Sequence, residues 1–332
     1  MSDDLGRYGR EILPTLSVLP AKRRLYGLDL YFQEAWAELV TALGSEDGVL
    51  RLLDRTALIL FKPDAVVRRM IGPACEWMTA RGIRLVAAET CLVSRHVTRA
   101  LWQHQWNFAT PERRALTELY MSRSPSLLLV VQLPPDSVPA TVRLSALKGP
   151  AVTTERSPEH LRSALATSNH VVNGVHSTDE PADVVRELSI FLDADQRQRV
   201  YTHLLDVRDA RLDDIVERLY REVPTEADLG FAARRQRWLA VADRTAPDRR
   251  RALQRALSRD AGRDRVDWRE LAADLSRMDA DWSDWDTVVL GTELMVSNEE
   301  GLDRVLPGVA PALWTANAAA HQHRWDREWA TR

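Results

Sequence analysis

Lysine is almost absent from this chain, and one of the few lysines stands where an apolar strand gives way to a helix. Of 45 lysine and arginine side chains, only Lys22, Lys62 and Lys148 are lysines. In a sequence drawn so strongly toward arginine, a lysine needed only for solvated charge would have been converted. Its survival in Arg55-Thr-Ala-Leu-Ile-Leu-Phe-Lys-Pro-Asp-Ala65 therefore points to chemistry at Lys62, because strand-to-helix junctions are common places for phosphates and active sites. A second cluster, Asn173-Gly-Val-His-Ser-Thr-Asp179, sets an imidazole among amide, hydroxyl and carboxylate groups just ahead of a helical pattern, Pro181 to Phe191.

Together the two clusters resemble the nucleoside diphosphate kinase family. In that family a strand ends in Lys-Pro-Asp-Ala, and an Asn-x-x-His-Gly-Ser-Asp segment supplies the histidine that carries phosphate, with a glutamate on the next helix. Lys62, Asn173, His176, Thr178, Asp179 and Glu187 fall on those positions. Between the clusters, Tyr120-Met-Ser-Arg-Ser-Pro125 ahead of the apolar run Ser126 to Leu133 is similar to the family's Tyr-Met-x-Ser-Gly-Pro lead into its third strand. The resemblance runs from about Arg55 to Leu192, less than half of the 332 residues.

The resemblance implies that His176 takes the γ-phosphate of ATP or another NTP and passes it on. An imidazole attacks phosphorus only when neutral, and one ring nitrogen must then hold the proton while the other attacks. Glu187 is the expected acceptor that orients the ring, with Thr178 bracing its carboxylate. Lys62 is expected on the transferred phosphate as a compact charge, and Arg143 and Arg162 resemble the family's phosphate-binding arginines. Asn173 is expected to bond either a ribose hydroxyl or Lys62, and Thr153 or Thr154 a phosphate oxygen. Magnesium is expected to arrive with the nucleotide, since no carboxylate cage is visible.

The sequence also departs from the family. Where a tyrosine and an Arg-Pro-Phe-Phe segment are usual, it has Gln105-Trp-Asn-Phe-Ala-Thr-Pro-Glu-Arg-Arg114. Either Trp106 or Phe108 offers a substitute face for a base, and either Arg113 or Arg114 a substitute phosphate contact. Ser177 stands where the family has glycine after the histidine, and Val172 where it has arginine before the asparagine.

The elements that would position these residues are readable from periodicity. Thr56 to Phe61, Ile83 to Val93, Ser126 to Leu133 and Val171 to Val175 read as strands; Pro63 to Arg81, Val97 to Gln105, Glu112 to Tyr120, Val138 to Leu147 and Pro181 to Leu192 read as helices. That order predicts an α+β fold, a ferredoxin-like βαββαβ antiparallel sheet covered by helices. Before it, residues 1–54 form a helical arm, with Leu28, Tyr31, Phe32, Ala35, Trp36, Leu39 and Val40 on one apolar face. The resemblance implies that residues 55–193 are a nucleoside diphosphate kinase-like domain. Residues 194–332 carry helical patterns at 195–222, 226–242, 247–258, 268–278 and 309–329, an appended α-helical domain rich in tryptophans that are expected to pack as core.

A net charge of -3 with arginines interleaved among acidic residues argues against a nucleic-acid-binding face. Cys75 and Cys91 lack disulfide or metal-site spacing, which suggests a reducing, cytoplasmic setting. No apolar run approaches the ~18 residues needed to cross a bilayer. His321 and His323, two apart on a helix, point to different faces and make a poor metal pair. Two readings remain open. One is a phosphotransferase whose acceptor is a nucleoside diphosphate or a specialised small molecule, possible as a homo-oligomer; the other is a nucleotide-binding module whose helical region contacts a protein partner.

Overall fold

The computed structural model describes residues 5–167, 169–205, 211–225, 228–242 and 283–317. Its centre is a four-stranded antiparallel sheet in the order β2-β3-β1-β4, built from β1 (Thr56–Phe61), β2 (Arg84–Cys91), β3 (Ser126–Gln132) and β4 (Val175–Ser177). This is the arrangement expected of a ferredoxin-like sheet. Every residue of β1 and of β3 is buried, as continuous apolar runs require when helices cover both faces. In their register Leu58 faces Val130 and Leu60 faces Leu128. The short edge strand β4 pairs His176 with Leu60. Alternation along the strand buries Val175 and Ser177 and leaves His176 partly open.

The helices are α1 (Leu5–Leu16), α2 (Pro20–Tyr26), α3 (Leu30–Leu43), α4 (Glu46–Arg55), α5 (Pro63–Val67), α6 (Ile71–Thr79), α7 (Arg95–Leu101), α8 (Pro111–Met121), α9 (Ala140–Lys148) and α10 (Leu161–Ala164), then α11 (Pro181–Phe191) and α12 (Ala194–Leu205). Further on come α13 (Asp213–Glu222), α14 (Phe231–Ala242), α15 (Asp284–Leu294) and α16 (Pro311–Ala316). None of those described is long and apolar enough to cross a membrane.

The helix expected over 63–81 is two helices. Arg69 between them has φ of 59°, a conformation costly for a residue with a Cβ. Its guanidinium offsets that cost by bonding the carbonyls of Val66, Tyr220 and Val223 at 3.1, 3.0 and 2.6 Å and lying 4.5 Å from the Tyr220 ring. A residue of α13 thus fixes a bend in the central domain.

Residues 11–54 pack into the same core as the sheet. Asp29 caps α3 by accepting from the Phe32 amide at 3.2 Å, and Gly44 ends it at φ 77°, a left-handed stop that glycine accommodates. The buried face is Phe32, Ala35, Trp36 and Leu39, lying against α11; Leu28 and Tyr31, expected on it, are exposed. The edge of β2 is covered by α12, where Gln196 donates to the Thr90 carbonyl at 3.0 Å, one way of protecting an unpaired strand.

Beyond 193, the described segments are helical apart from turns and an isolated bridge between Ala109 and Asn298. The helix expected over 195–222 appears as α12 and α13. Helix α15 lies against α8 and α14, joined to α14 by the buried Arg234–Asp286 pair at 2.6 Å. Trp238 and Trp314 are buried, as core tryptophans should be. The helices expected at 247–258 and 268–278, most of that at 309–329, Trp268, Trp282, Trp325, Trp329, His321 and His323 lie outside the described residues.

Candidate active site

Lys62 and His176, 114 positions apart in sequence, line one cleft of about 290 Å³. Lys62 follows the last residue of β1 and serves as N-cap of α5. Its ammonium donates to the Val171 carbonyl at 2.8 Å and to Asn173 Oδ1 at 2.6 Å. Only 5% of the residue is exposed. Burial above all, then the charges of Arg162, Lys148 and Arg156, pull its pKa down to about 7, with Asp64 opposing.

Asp64 explains why the Lys-Pro-Asp turn and the Asn-Gly segment meet. Buried, it accepts from the Tyr120 hydroxyl and, at 2.7 Å, from the Gly174 amide. The Lys62 amide in turn donates to the Gly174 carbonyl at 2.9 Å. Gly174 sits at φ 79° with side-chain carbons 3.3 Å from where a Cβ would lie, so glycine suits this crossing on both counts.

His176 Nε2 lies 2.9 Å from Glu187 Oε2. A carboxylate only accepts, so in a neutral ring the proton belongs on Nε2 and the lone pair on Nδ1. Glu187 is buried on α11, one turn from the helix end. The imidazole meets the Trp102 ring edge-on at 5.9 Å, and Trp102 stacks on Trp106 at 4.6 Å.

Lys148, at the end of α9, donates to Ser177 Oγ at 2.8 Å, and Asp179 Oδ1 lies 3.9 Å away. Burial lowers its pKa to about 8. Arg162 bonds the carbonyls of Gly149 and Val175 at 2.7 and 2.9 Å and Asn173 Oδ1 at 3.3 Å; burial and then Arg156 bring its pKa to about 10.

The cleft therefore gathers Lys62, His176, Glu187, Arg162, Asn173 and Arg113 from the residues singled out in sequence. Five others lie elsewhere. Arg143 reaches the Pro134 carbonyl and Asp136, because the first half of α9 faces that turn. Thr178 Oγ1 accepts from the Leu58 amide at 3.1 Å, so it extends the β1–β4 ladder instead of bracing Glu187. Arg114 borders a separate groove with Arg95 and Arg99, since its neighbour Arg113 takes the cleft-facing side of α8. Thr153 and Thr154 form an exposed 3-10 turn. Trp106 and Phe108 both line the cleft and are buried.

Sequence reading missed Lys148, Trp102, His170 and Arg304 as lining residues. Lys148 carried a signal, the rarity of lysine; the others had none.

Residues 55–197 match the family model "Nucleoside diphosphate kinase". Among curated relatives, the nucleoside diphosphate kinase of Pyrococcus abyssi is 25% identical over 142 residues, 42% of this chain and 84% of that protein. That of Nocardioides sp. is 29% identical over 134 residues, 40% of this chain and 93% of that protein. Among solved structures, the Halobacterium salinarum nucleoside diphosphate kinase in complex with CDP aligns at 19% identity and a TM-score of 0.38, covering 49% of this chain and 98% of that one. The central domain matches the nucleoside diphosphate kinase family, and it carries additional helical regions on both sides.

Proposed function

We propose that the protein is a phosphotransferase that carries the γ-phosphate of a nucleoside triphosphate on His176. Nδ1 attacks the γ-phosphorus, the bond to the bridging oxygen breaks, and the nucleoside diphosphate leaves with that electron pair. An acceptor phosphate oxygen then attacks the phosphohistidine and returns the lone pair to Nδ1. The reading rests on the His176–Glu187 bond at 2.9 Å in a cleft shared with Lys62.

Glu187 holds the Nε2 proton and offsets the positive charge of the phosphorylated ring, as the acid of a catalytic triad does. Lys62 and Arg162 stabilise charge on the transferred phosphoryl oxygens. The acceptor is a nucleoside diphosphate or a specialised small molecule.

Among the described residues, the chain's own groups do not build a resident magnesium site. No cluster of three or more His, Cys, Asp or Glu occurs among the described residues, and the cleft carboxylates are engaged: Glu187 by His176, Asp183 by Lys22 and Tyr26, Asp179 by Ser145. Magnesium belongs to the substrate in this reading, bound to its phosphate chain.

The test is incubation with γ-labelled ATP. An acid-labile, alkali-stable label on the wild type, lost in His176→Ala, supports the proposal. An unlabelled wild-type chain that still binds nucleotide would instead make it a binding module.

A further inference from the structure

The appended carboxy-terminal region forms one wall of the cleft. Its 296–305 segment is fastened to residues 107–113, the stretch leading into α8 that departs from the family pattern. The Thr110 hydroxyl donates to the Val296 carbonyl at 2.6 Å, the Glu299 amide to the Phe108 carbonyl at 2.7 Å, and Asn107 to the Asp303 carbonyl at 2.7 Å. These bonds bring Arg304 beside Arg113, and both line the cleft.

Both guanidiniums lie against one ring, Arg304 at 5.1 Å and Arg113 at 5.8 Å from the centre of Phe108. Arg113 donates to the neutral Asn298 Oδ1 at 2.6 Å. Neither arginine has a carboxylate partner among the described residues. The cleft's acidic residues, Asp179, Asp183 and Glu187, all come from the β4–α11 side. Two like charges set together without a counter-ion repel each other, and the repulsion is strongest where water is scarce. The cost is visible in Arg113, whose pKa falls to about 10 through burial and then Arg304. His170, 2.8 Å from Ser297 Oγ, lies in the same positive field: burial, then Arg113, then Lys62 bring its pKa to about 4.

The aromatic faces in this cleft are already used. Phe108 is covered by the two guanidiniums, and Trp106 stacks on Trp102 with Arg99 5.6 Å from its centre. A base would find little open ring here, whereas an anion would find two unneutralised forks of donors.

We propose that Arg304 and Arg113 form an anion subsite that holds a phosphate group of the ligand other than the one handled at His176. Its ligand class rests on the phosphotransfer reading above. Recognition at this wall then counts phosphates more than it reads the base, and a residue from outside the family-matched region sets it.

The experiment is calorimetric titration of the full chain, at pH 7 and fixed ionic strength, with orthophosphate, pyrophosphate, tripolyphosphate and tetrapolyphosphate. These probes have no scaffold to clash. The readout is the affinity ratio of tetrapolyphosphate to orthophosphate. Arg304 is exposed, so Arg304→Gln leaves the fold intact, and an unchanged melting temperature verifies it. A fall of fivefold or more in the ratio for Arg304→Gln, and for Arg113→Gln, supports the subsite; any smaller change overturns it. Because binding requires no transfer, the two readings fail separately. A chain that is labelled by ATP but shows a flat ratio loses only the subsite, and one that shows the ratio but takes no label loses only phosphotransfer.

Discussion

Nucleotide binding should draw a proton onto Lys62. The cleft holds this amine at a pKa of about 7, because burial and the neighbouring Arg162, Lys148 and Arg156 outweigh Asp64. Asp64 is the strongest single charge acting on the amine and raises its pKa, but burial is larger still. At pH 8 only about a tenth of the amine is then charged, at pH 7 about half, and at pH 6 about nine-tenths. A phosphate placed against it restores the charge. The free protein is the proton-poor state and the complex the proton-rich one, so uptake attributable to Lys62 grows from about 0.1 proton at pH 6 to about 0.9 at pH 8. By the same sign, affinity weakens as pH rises above 7, approaching about tenfold per pH unit. Lys148, lowered to about 8, adds a smaller uptake of its own. The assay is titration with ADP in buffers of different ionisation heat, comparing wild type with Lys62→Met. The difference cancels the titration of ADP itself and of Lys148. A difference below about 0.2 proton at pH 8 would show that Lys62 stays charged without nucleotide, and that burial does not depress its pKa.

Three more outcomes are expected. Glu187→Gln removes the carboxylate that fixes the His176 proton, and single-turnover labelling should slow by about 10²-fold with nucleotide affinity unchanged; an unaltered rate would show that orientation does not depend on that charge. Lys22→Met strands two buried carboxylates, Glu180 and Asp183, now 2.7 and 2.8 Å from the ammonium. Urea unfolding should report a loss of about 3–5 kcal/mol, and a loss under about 1 kcal/mol would refute the buried network. Gly174→Ala places a Cβ at a left-handed φ and 3.3 Å from Leu165 and Thr167; it should cost about 1–2 kcal/mol and reduce labelling with it, which thermal melts and the label assay would show together.

What could be read from the sequence follows from the range of each signal. Strands β1 and β3 are uninterrupted apolar runs, so periodicity and length locate them. The Lys62 and His176 clusters are contiguous motifs, and the structure brings both to one cleft with Asn173 against Lys62 and Glu187 against His176. Arg143 and Thr178 point away from the cleft for a different reason. A helix turns about 100° per residue and a strand alternates, so a position a few residues from a landmark does not reveal its face. Arg143 and Lys148 share α9, yet only Lys148 looks into the cleft. The bend at Arg69 was invisible because its stabilising carbonyls, on Tyr220 and Val223, lie about 150 positions away. Arg304 was equally remote from the loop it joins.

The selective retention of lysine extends beyond Lys62. Lys22, Lys62 and Lys148 are all buried, at 2%, 5% and 8% exposure, and each bonds a specific partner. Lys22 anchors the amino-terminal region to the start of α11, where Glu180 also accepts from the Ser17 hydroxyl at 2.7 Å and the Val18 amide at 2.6 Å. Arg186, beside Glu187 on that helix, bonds Asp29 at 2.9 Å and the Ala100 carbonyl at 2.7 Å, two residues before Trp102. The helix that carries Glu187 and the loop that carries Trp102 are thus held by residues ahead of position 55, and the opposite wall of the cleft by residues beyond 290. A fragment cut to residues 55–197 would keep Glu180, Asp183 and Arg186 but lose Lys22, Tyr26 and Asp29. The same ion pairs that join the matched domain to its amino-terminal region also set the position of the imidazole's partner.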